Sequence, residues 1–494
     1  MLNAYWKHFK SGSDIRGVAL ENDRGDAVDL TSEVVERMAR GFAAWLAVHT
    51  GKPAAELTVA VGRDSRLSGP RMTDDVVRGL TAMGTAVLVC GMASTPAMFM
   101  TTVDLQVDGA IQITASHHPY HRNGLKFFLP TGGLEGFQIE EILQLAQDGD
   151  WTDAEVVGRT TEVDYMATYC ARLRKLICEG VNAADYEHPL EGYHIVVDAG
   201  NGAGGFYATD VLAPLGADIT GSRYLEPDGN FPNHTPNPEN AEAMASICEA
   251  TVASGADLGV IFDTDVDRAG CVDASGAEIN RNRLVALASA IALEGVTDGW
   301  VVTDSITSDG LKAFIEQRLG GHHRRFKRGY RNVINEAQRL CAEGKNAPLA
   351  IETSGHAALR DNYFLDDGAY LITRIIIKLA QGQAPETLLA GLQEPAEAQE
   401  VRFAITEPEF SAYGKQVLAE LEQYAAAQGW QVADDSCEGV RISFPAGDGD
   451  GWLLLRLSVH DPVMPMNVES NVVGGCAVIR QKIQPFLDTK TALK

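Results

Sequence analysis

Short apolar runs, each broken by a polar loop, set the rhythm of this chain. They are LTVAVGRDSRLSG (57–69), GAIQITASHHP (109–119), HIVVDAGNGAGG (194–205), LGVIFDTDVDRAG (258–270), WVVTDSITSDG (300–310) and PLAIETSGH (348–356). Each run has the length and composition of a buried strand, each loop is rich in Gly, Asp, Ser or Thr, and helical periodicity is expected after it. Continuous apolar strands alternating with helices predict parallel sheets covered on both faces. In such sheets ligands bind beyond the carboxyl ends of the strands, where these loops lie. Helices are predicted over 31–50, 70–83, 136–147, 239–254, 281–294, 308–319, 331–343 and 368–381, with Thr31 as an N-cap for the first.

The last hundred residues have another pattern. Pro385, Pro395 and the polar run EPAEAQE (394–400) predict a linker. VRFAI, a helix over about 407–428, WQVAD, VRISF and WLLLRLSV then predict a smaller α+β domain. Three α/β stretches of similar length precede it.

Composition narrows the class. The 494 residues are 45% hydrophobic and 22% charged, as in ordinary globular proteins. A net charge of −26 repels nucleic acid phosphates and anionic membranes, so neither is an expected partner. The longest mostly apolar stretch, Leu284 to Val296, is too short to span a bilayer, and the N-terminus lacks the apolar core of a signal peptide. Eight scattered cysteines without a CxxC pair point to free thiols in a reducing compartment, hence a cytoplasmic protein.

Four loops carry candidate chemistry. Ser116, beside His117 and His118 and followed by Asn123, Gly124 and Lys126, has the makings of an activated nucleophile, although no GxSxG elbow is present. His117, His118 and His121 raise the question of zinc, but Pro119 interrupts the helix that such spacing would need. Asp263, Asp265 and Asp267 alternate at a strand end, and three carboxylates so close call for a cation such as Mg²⁺. Glu352, Ser354 and His356 suit a polyol, with a helix N-cap as the plain alternative. Arg456, Ser458 and His460 suit an oxyanion or phosphate. Arg16, Arg63, Arg66, Lys327 and Arg331 accompany these loops, and each alone reads as a surface ion pair.

In this order the loops resemble those of the α-D-phosphohexomutase superfamily. TASHHP with NGLK is similar to its phosphoserine loop, usually TASHNP with NGxK. DTDVDR resembles the metal loop DGDxDR, ETSGH the sugar loop GExSGH, and RLSVHDP the phosphate loop RPSGTEP. SDIRG (13–17), VGRDSRLS (61–68), VVDAGNGAG (196–204) and PDGNFPNHTPNPEN (227–240) add to the likeness, which is greatest to the phosphomannomutase/phosphoglucomutase branch.

The resemblance implies three similar mixed α/β domains and a smaller C-terminal α+β domain around a central cleft, divided at 1–155, 156–277, 278–397 and 398–494. It implies exchange of a phosphoryl group between the 6- and 1-hydroxyls of a hexose phosphate, of mannose or glucose, through phosphorylated Ser116 and a bisphosphorylated sugar. Ser116, His117, Lys126 and Arg16 are then the catalytic residues. Ser116, Asp263, Asp265 and Asp267 bind Mg²⁺. Arg268, Lys327, Glu352, Ser354, His356, Arg456, Ser458 and His460 bind substrate. Glucose 1,6-bisphosphate or an equivalent is the expected activator, and the expected state is a monomer or small homo-oligomer.

The sequence departs from the pattern at His118 (usually Asn), Thr264 (Gly), Ile351 (Gly), Val459 (Gly) and His460 (Thr). Amino-sugar branches of the superfamily are the near alternative for the substrate. Two further readings compete. One is a haloacid-dehalogenase-type phosphatase with Asp263 as nucleophile, since FDTDVDR has the DxDxD pattern. The other is a catalytically silent sugar-phosphate-binding protein, prompted by the altered RLSVHDP loop.

Overall fold

The computed structural model describes residues 1–458 and 461–494. The chain folds as two compact units, Met1–Leu284 with Ser354–Leu388, and Val285–Thr353 with Leu389–Lys494.

In the first unit the leading sheet runs, in space, Lys10–Ser11, Asp14–Val18, Arg122–Leu129, Gly109–Ile113, Thr58–Arg63, Ala86–Met92 and Thr160–Glu162. Thr58–Arg63 pairs in parallel with Gly109–Ile113 and with Ala86–Met92, as the buried apolar runs predict. Arg122–Leu129 instead runs antiparallel between Gly109–Ile113 and Asp14–Val18. A second sheet pairs Ile195–Asp198 with Leu258–Phe262 in parallel and returns antiparallel through Ala269–Asp273. The parallel sheets read from the apolar runs are therefore mixed sheets, in keeping with mixed α/β domains. Before the helices predicted over 136–147 and 281–294, the chain first forms a strand after TASHHP and after DTDVDR, because LKFFL and AGCVD are themselves buried β-type runs that pair straight back. Both chemistry-bearing loops thus close antiparallel pairs.

Predicted helices appear at Ser32–Thr50, Gly69–Ala82, Gly136–Asp148, Ala241–Ser254, Arg281–Ala292, Tyr330–Ala342 and Gly368–Ala380. Thr31 caps the first, its hydroxyl accepting the Val34 N–H at 3.4 Å. The stretch at 308–319 is a short α-helix, Asp309–Ala313, that continues as a π-turn over Phe314–Arg318. Thr95–Asp104, Tyr165–Val181 and Gly475–Leu487 are helices not anticipated.

In the second unit three parallel strands, His322–Phe326, Gly299–Asp304 and Asn346–Ile351, form one sheet. The other is antiparallel throughout, in the order Glu397–Ala404, Val463–Ser470, Gly451–Leu455, Val440–Phe444 and Gln431–Val432. With the helices Phe410–Gln428 and Gly475–Leu487 it forms the expected α+β portion. EPAEAQE is only partly a linker. From Glu397 the chain is already a strand, held by an eight-residue ladder to Val463–Ser470, and its polar residues are tolerated because this edge strand is largely exposed.

A charged cluster with buried arginines and Asp309 at its exposed edge ties the two sheets of this unit together. Arg441 stacks on Trp452 at 3.5 Å from the ring centroid and donates to Asp309 at 3.0 Å. Arg325 reaches Asp309 at 2.7 Å and Asp435 at 3.0 Å. Trp452 donates its indole N–H to Glu469 at 3.0 Å. Burial pushes the Glu469 carboxyl up to about 7, against the opposing pull of Arg441 and the Trp452 hydrogen bond.

Because its folded-state pKa lies above the ordinary 4.5, Glu469 costs the fold nothing in acid, and its penalty grows as pH rises toward 7. Glu469→Gln keeps an acceptor for Trp452 and removes that penalty. Thermal unfolding of the full chain should show the variant melting higher than the parent at pH 8, with the gap closing by pH 5. An equal gap at both pH values would contradict this account.

Candidate functional site

Ser116 sits in the turn between Gly109–Ile113 and Arg122–Leu129, with a left-handed backbone (φ 50°). Such a conformation in a non-glycine residue is costly and must be over-determined by its surroundings. The surroundings are Asp64 and Arg66, from the VGRDSRLS segment. Arg66 is fully buried and gathers the turn by its carbonyls. It donates to Pro119 and Arg122, both at 2.9 Å, to His118 at 2.7 Å, and to Ser116 O. Asp64 lies 3.2 Å from the Arg66 Nε and accepts the Thr114 hydroxyl at 2.7 Å. Thr114 Oγ1 in turn accepts the Ser116 N–H at 2.9 Å. Sequence reading left Arg66 among the surface ion pairs, and the structure makes it the scaffold of the loop.

The Ser116 hydroxyl donates to Asp263 Oδ2 at 3.1 Å and accepts from Arg268 Nη2 at 2.9 Å. Arg268 is buried and also grips Asp263 Oδ2 through Nε at 3.0 Å and Nη2 at 2.8 Å. The same Nη2 lies 2.7 Å from His117 Nδ1, which must therefore be an acceptor. Crowding around the imidazole and then the Arg268 charge push the His117 pKa down, so the ring is neutral although its outer edge is exposed.

Asp263, Asp265 and Asp267 are all buried, and an oxygen of each lies within 4.8 Å of the others. The turn that folds them together puts Val266, a β-branched residue, at φ 67°. Thr264 keeps negative φ, so the substitution of Gly at that position imposes no strain there. Lys126 Nζ contacts Asp267 Oδ2 and lies 3.2 Å from Asp265 Oδ2. Thr95 donates its hydroxyl to Asp265 at 2.5 Å and its N–H to the Asp265 carbonyl at 2.8 Å, a contribution the sequence did not signal. Burial and the neighbouring Asp267 push Asp263 well above the ordinary carboxylate range. For Asp267 the burial penalty is outweighed by Lys126, His356 and Arg268, and it is held well below that range.

Two oxygens, Asp265 Oδ1 and Asp267 Oδ1, are buried without a hydrogen-bond partner. Hard, orphaned carboxylate oxygens in one cluster fit a divalent cation. Among the described residues this is the one grouping of metal-ligand type; His117, His118 and His121 do not form another.

Arg16 pairs with Asp14 at 2.7 Å. Burial opposes its charge, but Asp14, Asp265 and Asp267 outweigh burial and hold its pKa above the usual value. Gly124 lets the strand carrying Lys126 pack close, since a Cβ there would lie 2.1 Å from the Ile15 carbonyl. Ser354 Oγ lies 2.9 Å from His356 Nδ1, and His356 Nε2 is 3.7 Å from Asp267 Oδ1. Gly355, at φ 96°, lays this segment against Ala269, whose carbonyl would be 2.6 Å from a Cβ. The first unit thus brings together Ser116, His117, Lys126, Arg16, the three aspartates, Arg268, Ser354 and His356.

The remaining candidates belong to the second unit. Glu352 is buried and accepts the Gly329 N–H at 2.7 Å. Lys327 is exposed in the turn after His322–Phe326. Arg456 is buried, 3.9 Å from Glu438. Ser458 Oγ accepts the Asp461 N–H at 3.2 Å, and the Ser458 N–H donates to Val463 O at 2.9 Å. Val459 and His460 lie outside the described residues.

The chain matches the phosphoglucomutase/phosphomannomutase α/β/α domains I, II and III over residues 8–152, 168–276 and 280–395. A phosphoglucomutase of Neisseria gonorrhoeae is 30% identical over 436 residues, covering 88% of this chain and 89% of that one. A phosphomannomutase/phosphoglucomutase of Pseudomonas putida is 30% identical over 419 residues, covering 84% of each. The crystal structure of a phosphoglucomutase/phosphomannomutase family protein from Burkholderia thailandensis superposes with a TM-score of 0.81 at 27% identity, over 100% of this chain and 99% of that one. With the serine loop, the buried aspartate cluster and this likeness along nearly its whole length, the chain belongs to the phosphoglucomutase/phosphomannomutase family.

Proposed function

We propose that this chain is a phosphohexomutase, an isomerase that interconverts hexose 6-phosphate and hexose 1-phosphate, of mannose, glucose or both, through phosphorylated Ser116 and a bisphosphorylated sugar. The observation that carries the reading is the Ser116 hydroxyl, held between Asp263 and Arg268 beside a buried carboxylate cluster with open oxygens.

Each half-reaction breaks one P–O bond and forms another. A sugar hydroxyl oxygen takes the phosphoryl group from Ser116 Oγ and releases its proton, while Oγ takes one up. The reverse transfer then moves the other phosphate of the bisphosphorylated sugar onto Ser116. Arg268 Nη2, already donating to Oγ, neutralises charge that develops there as the bond breaks. This contact supports a role for Arg268 at the reacting oxygen rather than at a remote part of the substrate.

Lys126, paired with Asp265 and Asp267, and Arg16, paired with Asp14, orient the hydroxyl and phosphoryl oxygens. His117, neutral with Nδ1 on Arg268, positions that guanidinium. Asp263, Asp265 and Asp267, with phosphorylated Ser116, would hold Mg²⁺, which neutralises phosphoryl charge when bound. Glu352, Ser354 and His356 would bind sugar hydroxyls, and Lys327, Arg456, Ser458 and His460 the phosphate that is not reacting.

Glucose 1,6-bisphosphate or an equivalent would load Ser116. The division at residues 155, 277 and 397 is supported by the three family matches, which end or begin near each boundary. Among the described residues no helix is long and apolar enough to cross a membrane, and the eight cysteines form no disulfide. Both facts support a cytoplasmic setting. A phosphatase with nucleophilic Asp263 is disfavoured, because that carboxylate is occupied by Arg268 and by the Ser116 hydroxyl.

Three outcomes are expected. After incubation with glucose 1,6-bisphosphate, intact mass and peptide mapping should show one phosphoryl group on Ser116. Ser116→Ala should lack it and lose at least about a thousandfold in kcat. Chelation should stop turnover and Mg²⁺ restore it. A parent protein that takes no phosphoryl group and isomerises no hexose phosphate would overturn the mutase reading.

Arg66→Met should lower kcat about a hundredfold through the misplaced loop, with KM changed far less, and Arg66→Lys should recover part of the loss. Steady-state kinetics on the folded variants decide it. Unchanged kcat in Arg66→Met would show that the four carbonyl contacts do not set the Ser116 geometry.

A further inference from the structure

In each aspartate of the buried cluster, donors of the protein occupy the Oδ2 atom. Asp263 Oδ2 accepts the Ser116 hydroxyl at 3.1 Å and two N–H groups of Arg268 at 3.0 and 2.8 Å. Asp267 Oδ2 accepts from Lys126 Nζ. Asp265 Oδ2 accepts the Thr95 hydroxyl at 2.5 Å, with Lys126 Nζ at 3.2 Å. The Oδ1 atoms are engaged far less. Asp265 Oδ1 and Asp267 Oδ1 are buried without a hydrogen-bond partner, and Asp263 Oδ1 accepts the Arg268 N–H at a long 3.3 Å.

Among these donors, Thr95 is the one to which the mutase reading gives no task. It is buried at the start of the helix Thr95–Asp104, and the backbone before it is held from several sides. The Ala93 N–H donates to Arg63 O at 2.8 Å, and Gln112 Nε2 donates to Ala93 O at 2.8 Å. The Ser94 hydroxyl accepts the Ala97 N–H at 3.2 Å and caps the helix. From this fixed start Thr95 grips Asp265 twice, by its N–H on the carbonyl at 2.8 Å and by its hydroxyl on Oδ2. Anchoring Oδ2 decides which oxygen of Asp265 remains for a ligand, namely Oδ1.

We propose that Thr95 is a positioning residue of the metal site: by holding Oδ2 it presents Asp265 as a one-oxygen ligand, and so sets the affinity for Mg²⁺ and its preference over Ca²⁺. The inference rests on the metal reading of the aspartates within the mutase proposal and adds a residue to it. A carboxylate that is itself hydrogen-bonded meets a cation from a fixed orientation, and loss of such support costs about ten- to a hundredfold in affinity. Mg²⁺ demands near-octahedral geometry, whereas Ca²⁺ takes about six to eight oxygens and accepts bidentate carboxylates. Three carboxylates with one oxygen each already occupied suit the smaller ion. Lys126 also meets Asp265 Oδ2, but its charge opposes an incoming cation. The Thr95 hydroxyl anchors the same oxygen without adding charge.

The test compares the parent with Thr95→Val, which keeps the shape and removes the hydroxyl, and Thr95→Ser, which keeps the hydroxyl. Each is stripped of metal and titrated by calorimetry with Mg²⁺ and with Ca²⁺. Thr95→Val should bind Mg²⁺ about tenfold more weakly, with Ca²⁺ weakened less than about threefold. Thr95→Ser should stay within about threefold of the parent for both ions. In isomerase assays over a Mg²⁺ series, the activity that Thr95→Val loses at low Mg²⁺ should return at high Mg²⁺. Parental Mg²⁺ affinity in Thr95→Val overturns the inference and leaves the mutase reading intact. Equal weakening of both ions overturns it as well. So does weakened Mg²⁺ in Thr95→Ser, which keeps the question decidable if Thr95→Val does not fold. A parent that binds neither ion also overturns the inference, while turnover decides the mutase reading separately. Should the parent bind Mg²⁺ and isomerise no hexose phosphate, the mutase reading fails and the titrations still decide on Thr95.

Discussion

Three carboxylates that cannot share a buried turn unaided are the constraint on which the first unit depends. Asp263, Asp265 and Asp267 are forced together by a turn that bends a valine into a left-handed conformation. Their repulsion is met from three directions. Arg268 grips Asp263, Lys126 sits on Asp265 and Asp267, and Thr95 donates to Asp265. Two oxygens still lack partners. In a buried site carboxylate oxygens without a hydrogen bond are costly, and a divalent cation would relieve the cost and supply a charge that phosphoryl oxygens can use. The same residues thus stabilise the turn and shape its chemistry.

The serine loop solves a different problem. Its nucleophile must stand in a left-handed conformation, and the compensation comes from a separate loop. Arg66 donates to four carbonyls of the loop, and Asp64 ties that guanidinium to Thr114 and so to the Ser116 N–H. The strain is held by a buried ion pair, whose value here lies in geometry more than in stability.

Much of this was legible in the sequence, and the failures have physical causes. Strand ends, most helices, the Ser116 turn and the aspartate cluster follow from apolar runs ending in polar residues. Strand direction does not, because a run such as LKFFL pairs equally well in either sense until the loop before it is short enough to force a return. EPAEAQE looked like a linker because an exposed edge strand carries no apolar signature. Arg66 was missed because a sequence does not reveal that an arginine is buried; its signal was the company of Asp64 two residues earlier. Thr95 contributes from a helix N-terminus far along the chain, which periodicity cannot connect to Asp265.

Charge sign explains how a chain of net −26 can handle phosphates at all. A small share of its cations is buried in fixed groups. Arg16, Arg66, Lys126 and Arg268 serve the serine and aspartate loops, while Arg325, Arg441 and Arg456 lie in the second unit. Most are held by a carboxylate that fixes the direction of the charge without neutralising every N–H. Arg268 keeps a donor for Ser116 Oγ after gripping Asp263, and Arg456 keeps Nε. An acidic protein therefore attracts phosphate only over short distances, at fixed guanidinium and ammonium groups. Long-range steering would work against the substrate, and recognition must come from bidentate, desolvated contacts whose strength survives salt.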